Sequence, residues 1–225
     1  MFSDLIKIGF PKNCISCNNS LVKNETYLCG NCFFYIPKGE LTMSSDGEIG
    51  NLFNHFDCFV GGSHLFDFDK EGKTQQILHE LKYNSNINFG EYLGKLMGSE
   101  FKDLLKDIEY LIPVPLHPKK EHQRGFNQSL LLCKGLNSVL KTPISTKNLI
   151  RTRYTETQTK KNKSQRIENI KNAFEIKKPE EFIGKSVLLI DDVITTGSTL
   201  SECMAVLYEI EGIKISVLLL AKANY

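Results

Sequence analysis

Two adjacent carboxylates, Asp191 and Asp192, close a short apolar run, Val187 to Ile190. A small-residue stretch, Thr195-Thr196-Gly197-Ser198-Thr199, comes almost at once. Free N–H groups at a helix start bind phosphate, and glycine lets the backbone approach it closely. The hydroxyls of Thr195, Thr196, Ser198 and Thr199 add donors. Carboxylates beside a phosphate would repel it unless they face another part of the same ligand. Adjacent acids suit the vicinal hydroxyls of a ribose, so the pattern points to a sugar phosphate. An ATP-type phosphate loop is excluded, because no Gly-x-x-x-x-Gly-Lys-Ser/Thr is present. The bland alternative is a strand–turn–helix whose acids only solvate a sheet edge.

A second group is Cys14-x-x-Cys17 and Cys29-x-x-Cys32, two knuckles separated by eleven residues. That spacing matches a tetrahedral four-cysteine zinc site. Four thiolates leave no position open for water, so such a zinc is structural. The segment is too short to bury a core, and metal would supply its folding energy. Two disulfides or an iron–sulfur centre are the alternatives.

A third group is basic. Net charge is only +2, yet residues 111–175 hold thirteen basic and four acidic side chains. That is where a polyanion should go. Leu116, His117, Lys119, Lys120 and Arg124 follow a strand that runs into Pro113 and Pro115. Farther on, Arg151, Arg153, Lys160, Lys161, Lys163 and Arg166 face one acid, Glu156, with no apolar periodicity between them. The bland alternatives are a basic surface turn for the first set and a solvated, mobile loop for the second.

The elements that must position these groups are read from periodicity. Val187–Ile190 predicts a strand buried on both faces, ending at the acids, and Leu200, Cys203, Met204 and Leu207 predict a helix from about Ser198. Helices are predicted over about 69–83, 89–106 and from Gln128 to about Lys141, with Cys133 and Cys203 on apolar stripes. Further strands are predicted at 110–113, 143–150, 173–176 and 213–220. Gly61-Gly62-Ser63 between two apolar runs predicts a hairpin. Residues 38–52 read as a linker. Strands alternating with helices give an α/β fold with a mainly parallel sheet flanked by helices. A small N-terminal metal module would occupy residues 1–50 and the α/β domain 51–225. Hydrophobic residues at 41% and charged residues at 24% are ordinary for a globular protein. No apolar run approaches the length of a membrane span, and the N-terminus makes a poor secretory signal, so no membrane insertion and a cytoplasmic location are expected.

The 187–199 run resembles the phosphoribosyl pyrophosphate (PRPP) loop of type I phosphoribosyltransferases. As a set, the pieces resemble the ComF (competence protein F) family. The carriers are the four cysteines; Val114-Pro-Leu-His-Pro-Lys119; Arg124-Gly-Phe-Asn-Gln128; Gln158 and Arg166 to Phe174; and Val187 to Thr199. The resemblance implies a type I phosphoribosyltransferase-like fold and binding of PRPP with Mg²⁺. Asp191 and Asp192 would be the catalytic acids on the ribose, and Thr195 to Thr199 would hold the 5′-phosphate. The 112–124 stretch would be a pyrophosphate loop. It also implies structural Zn²⁺ and a link to single-stranded DNA uptake, with DNA or a competence helicase as partner. Two functions follow as expectations: phosphoribosyl transfer to a base or amine, with the 151–166 loop as a lid, or non-catalytic PRPP sensing with that loop on single-stranded DNA. The acceptor and the oligomeric state have no signature in the sequence.

Overall fold

The computed structural model describes residues 12–68, 72–83, 86–154 and 172–223. Four parallel strands form the central sheet in the order β1 (Phe59–Phe68), β6 (Lys214–Ala223), β5 (Ser186–Ile194), β2 (Tyr110–Pro113). A short antiparallel pair, β3 (Leu149–Arg151) with β4 (Phe174–Ile176), stands apart from it. Helices α2 (Lys73–Tyr83), α3 (Ile87–Phe101) and α5 (Gln128–Leu140) cover one face of the sheet, and α6 (Ser198–Tyr208) covers the other. The remaining helices are short, α1 (Gly30–Tyr35) and α4 (Pro118–Arg124).

The sheet is parallel because its strands are apolar on both sides. Val187 to Ile190 are fully buried, alternating between the two apolar clusters. Each such side chain contributes about 1.5–3 kcal/mol by leaving water. Helices α3 and α5 touch backbone to backbone. A Cβ on Gly94 would lie 2.1 Å from Leu132 O, and one on Gly135 2.1 Å from Glu91 O. No side chain fits there, so these two glycines fix how closely α5 approaches the sheet.

Four expectations are corrected. Gly61 and Gly62 do not turn the chain; β1 runs through them as one strand. They are small because residues 43–49 press on them: a Cβ on Gly61 would meet Met43 O at 2.8 Å. Nor are residues 38–52 a free linker. Lys38 bridges Phe66 and Ser44 bridges Gly62, which covers the open edge of β1. The 143–150 strand shrinks to β3, with an isolated bridge from Ile144 to Leu111. Finally, β5 does not stop at the acids. Its ladder to β2 ends at Ile190, while its ladder to β6 continues to Ile194.

Cys14, Cys29 and Cys32 belong to the same apolar cluster as α2, α3 and α5. The Tyr27 ring lies 5.3 Å from Phe89 and 5.2 Å from Tyr92, both on α3. Cys133 and Cys203 are fully buried, as their helical stripes predict. Among the described residues, no helix is long and apolar enough to cross a membrane.

Candidate functional site

The site lies where β5 outruns β2. Beyond Ile190 the β2 side of the strand is open, and Asp191 faces a shallow pocket of about 40 Å³ shared with Val193 to Leu200. Gly197, in the left-handed region at φ +75°, ends the loop and caps α6. Among the described residues no side chain caps α6, which leaves its first N–H groups for a ligand. Thr196 Oγ1 and Ser198 Oγ are 2.8 Å apart, and Thr195 is exposed at the rim. Fully buried Phe53 supports the loop, lying 3.4 Å from where a Gly197 Cβ would be. Thr195 to Thr199 thus line one cavity.

Two residues that carried no assigned role in the sequence, Asn127 and Ser129, fix Asp191 in place. Asn127 caps α5: its Oδ1 accepts from the N–H of Ser129 at 2.9 Å, while its Nδ2 donates to Val114 O at 3.1 Å. That ties the end of β2 to the start of α5. Ser129 Oγ then donates to Asp191 Oδ1 at 2.8 Å, a charge-assisted bond. Burial first, then the charge of Asp192, pushes the Asp191 carboxyl up to about 7. Asp192 differs. Its Oδ1 accepts from the N–H of Val193, and Lys82 Nζ on α2 lies 3.2 Å from its Oδ2. Of the two acids only Asp191 lines the pocket. Lys82 ends a helix with ordinary amphipathic spacing and gives no sequence signal. Ser129 directly follows Arg124-Gly-Phe-Asn-Gln128, so that motif was the available signal.

The basic residues expected in a loop after β2 sit instead on α4. His117 caps it: its Nδ1 accepts from the N–H of Lys119 at 3.2 Å, which leaves that nitrogen unprotonated. Partial burial, then Arg151, Lys119 and Lys120, pulls His117 below its ordinary range. Burial, Arg151 and Arg124 push Lys120 down to about 8. Such crowding of like charge is relieved by an anion. Arg124 Nη1 donates to Gln128 Oε1 at 3.0 Å. Tyr154 packs edge-on to His117 at 5.1 Å and lies under Lys119 Nζ at 5.5 Å. Leu116 is half-buried beside them. Arg151 of β3 joins this group, whereas Arg153 is exposed. Lys160, Lys161, Lys163 and Arg166 lie outside the described residues.

The cysteine cluster is separate. The ligand atoms of Cys14, Cys17, Cys29 and Cys32 lie within 4.8 Å of one another, and Cys17 Sγ is 3.7 Å from Cys29 Sγ. A tetrahedron with metal–sulfur bonds of about 2.3 Å has sulfur–sulfur edges of about 3.8 Å, so the donors fit one metal ion. All four thiols are free, which sets the disulfide alternative aside. The N–H of Cys29 donates to Cys14 Sγ at 3.3 Å and that of Cys32 to Cys29 Sγ at 3.4 Å. Burial opposes ionisation of Cys14, yet the N–H groups of Cys29, Cys17 and Ser16 outweigh it and bring the thiol down to about 7. Burial pushes Cys32 up to about 12. Glu25 braces the knuckles, accepting from the N–H groups of Gly30 and Val22.

Comparison with known proteins adds to this geometry. A phosphoribosyl transferase domain model matches residues 128–225. Competence protein F of Haemophilus influenzae is 34% identical over 230 residues, covering 95% of this chain and 98% of the relative. The DNA utilization protein YhgH of Escherichia coli O157:H7 is 34% identical over 131 residues, 56% of this chain and 57% of that protein's length. Among solved structures, glutamine PRPP amidotransferase from B. subtilis is similar at 20% identity and a TM-score of 0.43, covering 63% of this chain and 30% of the other.

Proposed function

The chain belongs to the competence protein F family, and from that premise we propose that it binds PRPP with Mg²⁺ and transfers the phosphoribosyl group to a base or amine. One observation carries the reading. A carboxylate, a ring of hydroxyls and an uncapped helix start share one pocket at the open end of β5, beside the crowded cations of α4 and β3. The N–H groups and hydroxyls of Thr195 to Thr199 take the 5′-phosphate, and the acid that lines the pocket, Asp191, serves the ribose. Lys119, Lys120, Arg124 and Arg151 take the pyrophosphate. The acceptor nitrogen attacks the anomeric carbon, the bond to pyrophosphate breaks with its electrons, and the acceptor loses a proton. Nearby carboxylate charge favours the oxocarbenium-like transition state.

Mg²⁺ is held mainly through substrate phosphates in sites of this kind. That suits a pocket in which Asp192 is already paired with Lys82. When bound it neutralises phosphate oxygens. The cysteine donors suit Zn²⁺, closed to water and structural. In this reading residues 1–50 supply the metal module and 51–225 the phosphoribosyl chemistry, in the cytoplasm. In this reading Lys160, Lys161, Lys163 and Arg166, outside the described residues, are assigned the role of a lid. A second reading, PRPP sensing coupled to single-stranded DNA, is favoured by the relatives' names, competence protein and DNA utilization protein. A pyrophosphate-release assay across bases, amines and DNA tests the first. Release with any acceptor supports transfer; PRPP binding without release supports sensing.

A further inference from the structure

Asp191 and Asp192 are neighbours in sequence and unlike in setting. Consecutive strand residues point to opposite faces. Asp191 lines the pocket and takes the Ser129 hydroxyl. Asp192 is 9% exposed, and its two oxygens are engaged by the N–H of Val193 and by Lys82. Lys82 occupies the last turn of α2, whose Ile77, Leu78 and Leu81 are set in the core. The ammonium is thus delivered by a packed helix. Both side chains are largely buried, so water and salt screen this pair less than one on the surface.

We propose that Lys82 is a positioning residue of the sugar-phosphate site: its ion pair holds Asp192 turned from the pocket, leaving Asp191 as the one carboxylate that accepts the ligand's hydroxyls. The inference rests on the PRPP reading and deepens it, because it divides an acid pair expected to act together. The groups facing Asp191 are Asp192 on its own strand, Lys82 of α2 and Arg151 of β3, with the thiols of Cys133 on α5 and Cys203 on α6. Two carboxylates this close resist joint ionisation. Lys82 works against that resistance, and its charge holds the Asp191 carboxyl lower than burial and Asp192 alone would. Without Lys82 the pair retains a proton to higher pH, and fewer molecules present an ionised Asp191 near neutrality.

Carboxyl-carbon NMR of the full chain, labelled at aspartate and free of ligand, reads the two acids directly. Calorimetry with PRPP and Mg²⁺ over the neutral pH range reads the consequence. In the wild type Asp191 titrates near 7, and PRPP affinity rises as pH passes through that midpoint. Lys82→Met moves the Asp191 midpoint up by about one unit and weakens PRPP about tenfold at neutral pH. Lys82→Arg restores both, since a second cation reaches Asp192. A Lys82→Met protein with a lower Tm but an unmoved midpoint overturns the inference, because Lys82 is then merely structural. So does an arginine variant that restores the midpoint and not the affinity, since Lys82 then touches the ligand itself. A wild type that binds no PRPP, with the midpoint still moved by Lys82→Met, overturns the PRPP reading and leaves the division of the acids standing.

Discussion

The four cysteines come from nineteen consecutive residues, Cys14 to Cys32, whereas the groups around Asp191 come from segments spread between Lys82 and Thr199. The first site is closed by its own turns and backbone N–H groups. The second needs α2, α4, α5, β3 and β5 all in place. A local site can be specified by spacing alone, because two-residue gaps hold both sulfurs of a knuckle to one metal. An assembled site is specified by whatever packs the elements, and that is written in the core instead.

The difference predicts unequal consequences. Replacing Cys14 and Cys17 by serine should have the largest effect. The cluster shares a core with α2 and α3, so losing it should release one equivalent of metal and lower Tm by well over 10 °C, since a structural metal contributes several kcal/mol to folding. Metal analysis beside a circular dichroism melt checks this. Metal lost with Tm held would show the module to be an appendage.

Next in size is Gly135→Val. Its side chain would enter the backbone of α3, push α5 outward and carry Ser129 away from Asp191. The expected cost is about 1–3 kcal/mol of stability with loss of PRPP binding. Denaturant melts and calorimetry read both; binding retained at full strength would mean that the Ser129 bond to Asp191 is dispensable.

Replacing Lys160, Lys161 and Lys163 by alanine separates lid from nucleic-acid groove. As a lid these residues should weaken PRPP about tenfold and leave the fold alone. As a groove they should flatten the salt dependence of single-stranded DNA binding by about two units of log–log slope, at about 0.7 per contact. Loss of DNA binding with PRPP binding intact would decide against the lid.

The smallest effect is a pH dependence of stability. The folded Asp191 carboxyl sits above its unfolded value, so between about 4 and 7 the folded state holds more proton than the unfolded one. Stability from this group is therefore full at low pH and lost as pH rises through about 7. Ligand-free Tm should fall across that window relative to Asp191→Asn, which lacks the titration. Parallel Tm profiles for the two proteins would count against a raised Asp191.

Much of this was legible in the sequence, and the misses share a cause. The cysteine knuckles, the loop of Thr195 to Thr199, the parallel sheet and the buried stripes of α5 and α6 follow from local periodicity and spacing. Gly61 and Gly62 misled because a glycine admitting a neighbouring backbone looks the same in sequence as a glycine making a turn. Lys119, Lys120 and Arg124 gained a helix because His117 and Pro118 supply a cap and a first turn that basic residues mask. Lys82 was invisible as a site residue and Ser129 was marked only by the motif it follows, since only the fold brings α2 and α5 to one strand end.

The central claim is that the open end of β5 is a PRPP site. Titrating PRPP with Mg²⁺ into the full chain, wild type beside the Asp191→Asn, Asp192→Asn double variant, tests it most directly. The account predicts saturable binding at one PRPP per chain by the wild type and none by the double variant, with both proteins folded. Equal binding by the two proteins, or none by the wild type, would contradict it.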